Sequence, residues 1–381
     1  MPLAWRSPAV IVVILCSLYC AFVVWRAGGA IQELIRPRAA GSAGYDGQFT
    51  AWIAADPSGA ERRIGALCRY PTLGYVYQRT LHHQLGRLFD CERPAYRYQR
   101  ILSAAIARLL SFGRAELVPY AILVTNLAAL GLGTAALAEL LRALRVNRWY
   151  ALIYGLFGGI FFAVRASTTE PLAYGLTLIA LLATQRRQFG WSAALFALAA
   201  LAKEVTLITV AGTALALWLS RERRAALLIG LGAVVPFLAW QAFLWHWLGS
   251  LGIGSGGVGA TPFEIVPYNG IWRIFGFGIT PTALALAAIP MLMGMLPSLW
   301  ALWRSGRDLW RGKWTLYSLI LFANAAIIPF TPRSTFAEPF GLARFLPALV
   351  FSTLLYAAHS RLRRPLRYSS LWLLFNLLFL A

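Results

Sequence analysis

The apolar residues of this chain come in uninterrupted runs, among them 117–141 and 225–248, each long enough to cross a lipid bilayer. A helix needs about 20 apolar residues to span the hydrocarbon core. No backbone N–H or C=O can go unpaired there, so such runs must be helices. A membrane β-barrel would show segments of roughly ten residues with alternating polarity, and that alternation is absent. Composition agrees: 59% of the 381 residues are hydrophobic and 13% charged, too little charge for a soluble surface. The pattern predicts an all-α polytopic membrane protein with roughly ten or eleven transmembrane helices. The expected spans are 8–25, 117–141, 149–164, 170–184, 189–202, 205–219, 225–248, 279–303, 315–330, 342–358 and 370–381. Residues 1–25 read as an uncleaved first helix, because the apolar stretch is long for a signal peptide and no clean small-residue cleavage site follows it.

The net charge of +21 would suggest nucleic acid on a soluble chain. No basic stripe with interleaved aromatics lies on a soluble domain here, so nucleic acid is not an expected partner and the lipid bilayer is. Apart from Lys203 and Lys313 the basic residues are arginine. With the N-terminus cytoplasmic and 26–116 outside, the connections 142–148, 185–188, 220–224, 304–313 and 359–367 fall on the cytoplasmic side and hold 16 basic residues. The opposing short connections hold five: Arg165, Lys203, Arg273, Arg333 and Arg344. That asymmetry supports the orientation. It divides the chain into an N-terminal helix (1–25), an extracytoplasmic loop (26–116), a first module of spans (117–220) and the C-terminal helices (221–381).

Segment 101–112 is apolar but short, contains Arg108 and is flanked by further arginines. Crossing there would invert every later loop, so it is expected to lie as an interfacial helix on the outer leaflet. The stretch 47–55 is read the same way, and the glycine-rich 249–259 as a flexible outer loop. Cys16 and Cys20 sit one turn apart in the first helix as small apolar residues. Cys68 and Cys91 both fall in the outer loop, where disulfides are permitted; they are a disulfide candidate, with two free thiols as the alternative.

Acidic residues total 14 and several gather at the outer ends of helices: Asp46, Asp56, Glu170, Glu204 and Glu338. Ionisable groups at membrane depth are costly and mark function. Asp56, next to Pro57, reads as an ordinary helix-ending turn. Asp46 stands between Gly44-Tyr45 and Gly47-Gln48-Phe49, where a carboxylate at a cavity mouth can act as general base toward a hydroxyl. Arg97, Arg100, Arg165, Lys203, Arg333 and Arg344 share that level. They suit an anionic head group, or alternatively snorkel to lipid. Lys203 and Glu204 are also placed to neutralise each other. The adjacent His82 and His83 lack a paired carboxylate motif and read as surface residues.

At these residues the chain resembles the GT-C superfamily of membrane glycosyltransferases. In that superfamily the first helix leads into a large outer loop that opens with an acidic motif on an interfacial helix. Here 44–57 stands in that place, 98–113 matches the second interfacial helix, Thr168-Thr169-Glu170-Pro171 the acid after helix three, and Leu201-Ala202-Lys203-Glu204 the lysine motif. The tracts Tyr45–Phe49 and Tyr98–Leu102 also resemble bacterial cell-surface glycopolymer formation proteins. The likeness covers about residues 8–220. It implies a GT-C-like fold in the bacterial inner (plasma) membrane, a polyprenyl-phosphate-linked sugar as donor and a glycan or lipid acceptor. It makes Asp46 the catalytic base, and Lys203 and Arg344, with Arg100 and Arg97, the donor-phosphate ligands. Tyr45, Gln48, Glu170, Glu204, Glu338 and Arg333 would line the cavity. Many relatives carry a second acid beside the first; Gly47 stands there in this chain, which weakens a metal site, although a divalent cation is compatible with the resemblance. The rival readings are a lipid-linked saccharide flippase and a non-catalytic GT-C-like assembly subunit. A flippase is expected to show inverted repeats and midplane charges, and neither is visible here.

Overall fold

A computed structural model describes residues 7–35, 46–69, 90–254, 256–257 and 260–379. The fold is helical, apart from a two-residue antiparallel ladder that sets Cys68 opposite Cys91. Among the described residues four helices are long and apolar enough to cross a membrane: Pro8–Arg26, Ala115–Ala143, Arg223–Leu248 and Pro281–Trp310. Three of them keep most of their apolar surface outward, with Leu18, Leu231 and Leu284 exposed. Continuous apolar faces of this kind are unsuited to water and match lipid, where they face a solvent as apolar as themselves. Ala115–Ala143 is instead largely enclosed and runs through the centre of the bundle.

By length and apolarity alone, the described residues offer four such helices, or five if the bent pair Pro339–Phe345 and Pro347–His359 is one span, against the expected ten or eleven. Phe189–Ala202 and Thr206–Leu219 have 14 residues each, about 21 Å of helix against a hydrocarbon core of about 30 Å. They stop short because the chain leaves the helix at Lys203 to enter a cluster of charges. The span expected at 149–164 is broken into Ala151–Gly155 and Gly158–Arg165. The one expected at 342–358 is divided into Pro339–Phe345 and Pro347–His359, bent by 45°, because Pro347 has no N–H to continue the first helix. The last expected span is a 3-10 helix, Ser369–Phe379.

One end of the bundle carries the basic connections. Arg187, Arg221 and Arg361 each follow a helix whose other end lies at Glu170, Lys203 or Arg344, so a helix length separates the two sets. At this end the helices close with a repeated turn. Arg145, Arg187, Arg221 and Arg361 adopt left-handed φ of 58°, 60°, 64° and 56°. The N–H of each following residue bonds back to the helix, as in Val146→Leu141 at 2.9 Å and Leu362→Ala357 at 2.8 Å. Glycine is the ordinary residue at this position, so the arginines sit there at a conformational cost. Replacing Arg361 by glycine is therefore expected to stabilise the purified protein by about 0.5 kcal/mol; a lower unfolding midpoint would contradict this reading of the turn.

At the opposite end a cap is built from Gly47–Ala55, Ala60–Gly65, Pro94–Tyr98 and Ile101–Leu110. Its own apolar core gathers Phe49, Ile53, Ile64, Tyr98 and Ala107 against Ile122 and Leu244 of the long helices. Ile101–Leu110 is two-sided, with Ala104 and Ala107 inward and Leu109, Leu110 and the following Phe112 exposed. Arg108 is exposed, and its Nη1 donates to the carbonyls of Ala54 and Ala55 at 3.0 and 3.1 Å, which caps the carbonyl end of Gly47–Ala55. That helix is enclosed by the rest of the protein: residues 47 through 51 are buried. Its entry is pressed against the backbone of Ala166 and Ser167, where a Cβ at residue 47 would collide.

Cys91 is disulfide-bonded, and Cys16 and Cys20 are free. With Cys68 facing Cys91 in register, the expected bridge gives two alkylated thiols in the denatured, unreduced chain and four after reduction. Four without reductant would exclude it.

Candidate functional site

Where the cap meets the bundle, eight charged side chains from six parts of the chain converge. Asp46 stands at the start of Gly47–Ala55, its carbonyl taken by the N–H groups of Phe49 and Thr50. Glu170 opens the helix Glu170–Gln185 after a turn in which Asn126 Nδ2 donates to the Thr168 carbonyl at 3.0 Å. Lys203 ends Phe189–Ala202 in an extended conformation, which swings its side chain across to Glu170. Arg344 comes from Pro339–Phe345, and Arg97 and Arg100 flank the end of Pro94–Tyr98.

The pairing is specific. Arg97 grips Glu92 with both Nε and Nη2, at 2.9 and 2.8 Å. Arg100 grips Glu204 the same way, at 3.0 and 2.7 Å. Such fork-to-carboxylate pairs are the strongest of the common ion pairs. Lys203 Nζ donates to Glu170 Oε1 at 2.7 Å. The Nη1 atom of each arginine turns to Asp46: Arg97 Nη1 to Oδ1, and the Nη1 atoms of Arg100 and Arg344 to Oδ2, both at 3.3 Å. Arg344 Nη1 also lies 3.7 Å from Glu170. Arg97 rests 4.0 Å over the Phe49 ring, a cation–π contact.

Four cations therefore face four carboxylates, and the cluster is neutral as a whole. Its members are not equally enclosed. The Glu170 side chain is 2% exposed and Lys203 7%, whereas Asp46 is 24% exposed, the highest of the eight. Asp46 is thus the face through which the cluster meets its surroundings. Burial pushes its carboxyl up, but the charges of Arg97, Arg344, Arg100 and Lys203 overcome this and hold it well below the usual carboxylate range. A carboxylate so held is a weak base until its cations are drawn elsewhere.

Several expectations need correction. Lys203 and Glu204 do not neutralise each other; they pair with Glu170 and Arg100 respectively. Arg333 is not part of the cluster: its Nε donates to the Arg273 carbonyl at 3.0 Å, beside the Arg273–Glu264 pair. Arg165 pairs with Glu33 at 3.8 Å. Glu338 interacts with Arg344 through its charge without contacting Asp46. Gln48 is buried beside Asp46. Tyr45, His82 and His83 lie outside the described residues. Asp56 holds a turn, accepting from the Gly59 N–H at 3.0 Å.

Sequence reasoning missed Glu92, Tyr96 and Gly257. Glu92 looked like one loop acid among others, yet it anchors Arg97. Tyr96 accepts from Arg100 Nη2 at 3.3 Å. Two glycines of the glycine-rich segment are held closely: Gly252 N donates to Gln241 Oε1 at 2.9 Å, and a side chain at Gly257 would collide with the Arg97 guanidinium. Gly252 thus lies against Gln99 and Ala95 and Gly257 against Arg97 and Glu92, and the lack of a Cβ at each permits the approach.

Among the described residues no group of three or more His, Cys, Asp or Glu is arranged to hold a metal ion. The carboxylates that a divalent cation would need are each taken by an arginine or lysine, and position 47 has no room for a second acid. The described residues of this cluster do not fit a metal. What they do fit is an anion: three guanidiniums converge where the Asp46 carboxylate now sits, and the charge of Lys203, bonded to Glu170, adds to their field. Comparison with protein-family models, curated proteins and solved structures finds no match for this chain.

Proposed function

We propose that this chain is a GT-C-type inverting glycosyltransferase of the bacterial inner membrane, N-terminus cytoplasmic, acting on the extracytoplasmic face. Its donor is a sugar on polyprenyl phosphate and its acceptor a hydroxyl of a cell-surface glycan or lipid. One observation carries the reading: the most exposed carboxylate of the cluster, Asp46, is held by Arg97, Arg100 and Arg344 together. The donor phosphate competes for those guanidiniums and frees Asp46. The freed carboxylate takes the proton of the acceptor hydroxyl. The acceptor oxygen attacks the anomeric carbon from the face opposite the phosphate, and the bond from that carbon to the phosphate oxygen breaks. The phosphate leaves with the bonding electrons, and the arginines and Lys203 stabilise the charge it gains.

The test is turnover in proteoliposomes supplied with radiolabelled polyprenyl-phosphate sugars and a lipid or glycan acceptor. Donor consumption matched by a glycosylated product is expected for one sugar of a panel. Folded protein that consumes none of them contradicts the proposal. One observation favours the assembly-subunit reading: the full pairing of Asp46 leaves no free base in the resting state. That reading expects no turnover with any donor and normal complex formation after the Asp46→Asn change.

A further inference from the structure

At the basic end of the bundle, a helix length from the cluster around Asp46, a cavity of about 300 Å³ is lined by Arg304, Arg307, Asp308, Lys313, Ser318 and His359, among others. The chain is shaped to bring these groups together. Leu296–Trp310 ends in a turn at Gly312, whose φ of 76° suits glycine. Gly312 N bonds to the Leu309 carbonyl at 3.0 Å and Lys313 N to the Asp308 carbonyl at 2.9 Å, so the chain doubles back and returns Lys313 to the cavity. His359 closes the far end of Pro347–His359.

The charges here are not balanced as they are around Asp46. Among the described residues Arg304, Arg307 and Lys313 make no ion pair within 4.0 Å. The one carboxylate, Asp308, accepts from the Tyr356 hydroxyl at 2.5 Å. Three cations therefore face one engaged acid. Arg307 Nε is in addition buried with no hydrogen-bond partner, a cost that an acceptor in the cavity removes. Both guanidiniums flank the indole of Trp303, at 5.7 and 5.3 Å. Trp303, Trp310 and Trp314, on the same stretch of chain as these cations, are exposed, as tryptophans are where a protein meets the membrane–water interface.

We propose that this cavity binds the phosphate group of an anionic ligand. A bilayer supplies such a group as a phospholipid head group and the aqueous phase as a free phosphate, and basic pockets between helices are suited to either. The site is separate from the donor site and does not depend on the transfer reaction.

The experiment uses the full chain in neutral detergent, with cardiolipin in mixed micelles and inorganic phosphate as probes. Affinity is read by native mass spectrometry and by thermophoresis. Changing Arg304 and Arg307 together to glutamine is expected to weaken cardiolipin binding roughly 30-fold. Changing Arg361 and Arg364 to glutamine, at the same end but outside the cavity lining, is expected to change it less than about threefold. Arg307→Lys keeps the charge and loses the fork; an intermediate loss, expected at about fivefold, carries the test if the double variant does not fold. Competition by millimolar phosphate assigns the site to free phosphate, and cardiolipin binding without such competition assigns it to the lipid head group. Equal losses in the two double variants, or binding of neither probe, would overturn the proposal.

Discussion

Asp46→Asn is expected to lower sugar transfer by about 10³-fold while leaving the protein folded and membrane-inserted. Removing a positioned general base costs between about 10² and 10⁴ in rate, and an amide of the same shape cannot take the acceptor proton. The fold should tolerate the change because each cation keeps another partner. Arg97 retains both bonds to Glu92, Arg100 both bonds to Glu204, and Arg344 its approach to Glu170 at 3.7 Å. The variant's unfolding midpoint should correspond to a loss of only about 1 kcal/mol, and its elution as a monodisperse species should be unchanged. A variant that transfers sugar at the wild-type rate would remove Asp46 from the reaction. One that unfolds would show that the carboxylate holds the cluster together rather than serving it.

The second large effect lies deeper. The Lys203–Glu170 pair is the most enclosed of the cluster, with side chains 7% and 2% exposed. Removing one partner of a buried pair leaves an uncompensated charge and costs about 3–5 kcal/mol. Lys203→Met leaves Glu170 facing only Arg344, and Glu170→Gln leaves Lys203 among arginines. Each single change is expected to destabilise by that amount. The double change to methionine and glutamine should recover much of the loss, because it removes the stranded charge along with the bond. Unfolding midpoints for the wild type, both single variants and the double variant form a cycle that measures this coupling. Additive losses would mean that the two residues do not stabilise each other.

Much of this arrangement is legible one residue at a time. The long apolar runs mark the four longest helices, and Asp46, Arg97, Arg100, Glu170, Lys203, Glu204 and Arg344 can each be assigned to one level of the chain from helix ends alone. Which of them pair cannot be read that way. Asp46 and Arg344 are 298 positions apart, and the neighbours Lys203 and Glu204 diverge because the chain is extended at Lys203. Local spacing favours their mutual pairing; tertiary packing gives each a better partner. Hydropathy leaves the enclosure of Gly47–Ala55 unread for a related reason. An apolar helix on the membrane surface and one buried beneath a cap have the same composition, and only the contact of Gly47 with the 166–167 backbone separates them. The short inner helices escape a length rule because their ends are set by the charged cluster, not by the bilayer. Glycines 252 and 257 look like freedom in the sequence and are close contacts in the fold.

The account rests on Asp46 occupying the place that the donor phosphate takes. Affinity for polyprenyl phosphate, measured on the wild type and on Asp46→Asn in the same lipid nanodiscs, tests this directly. With the competing carboxylate gone, the variant should bind the lipid phosphate about tenfold more tightly even though it no longer transfers sugar. Equal or weaker binding by the variant would mean that phosphate and Asp46 do not share those arginines.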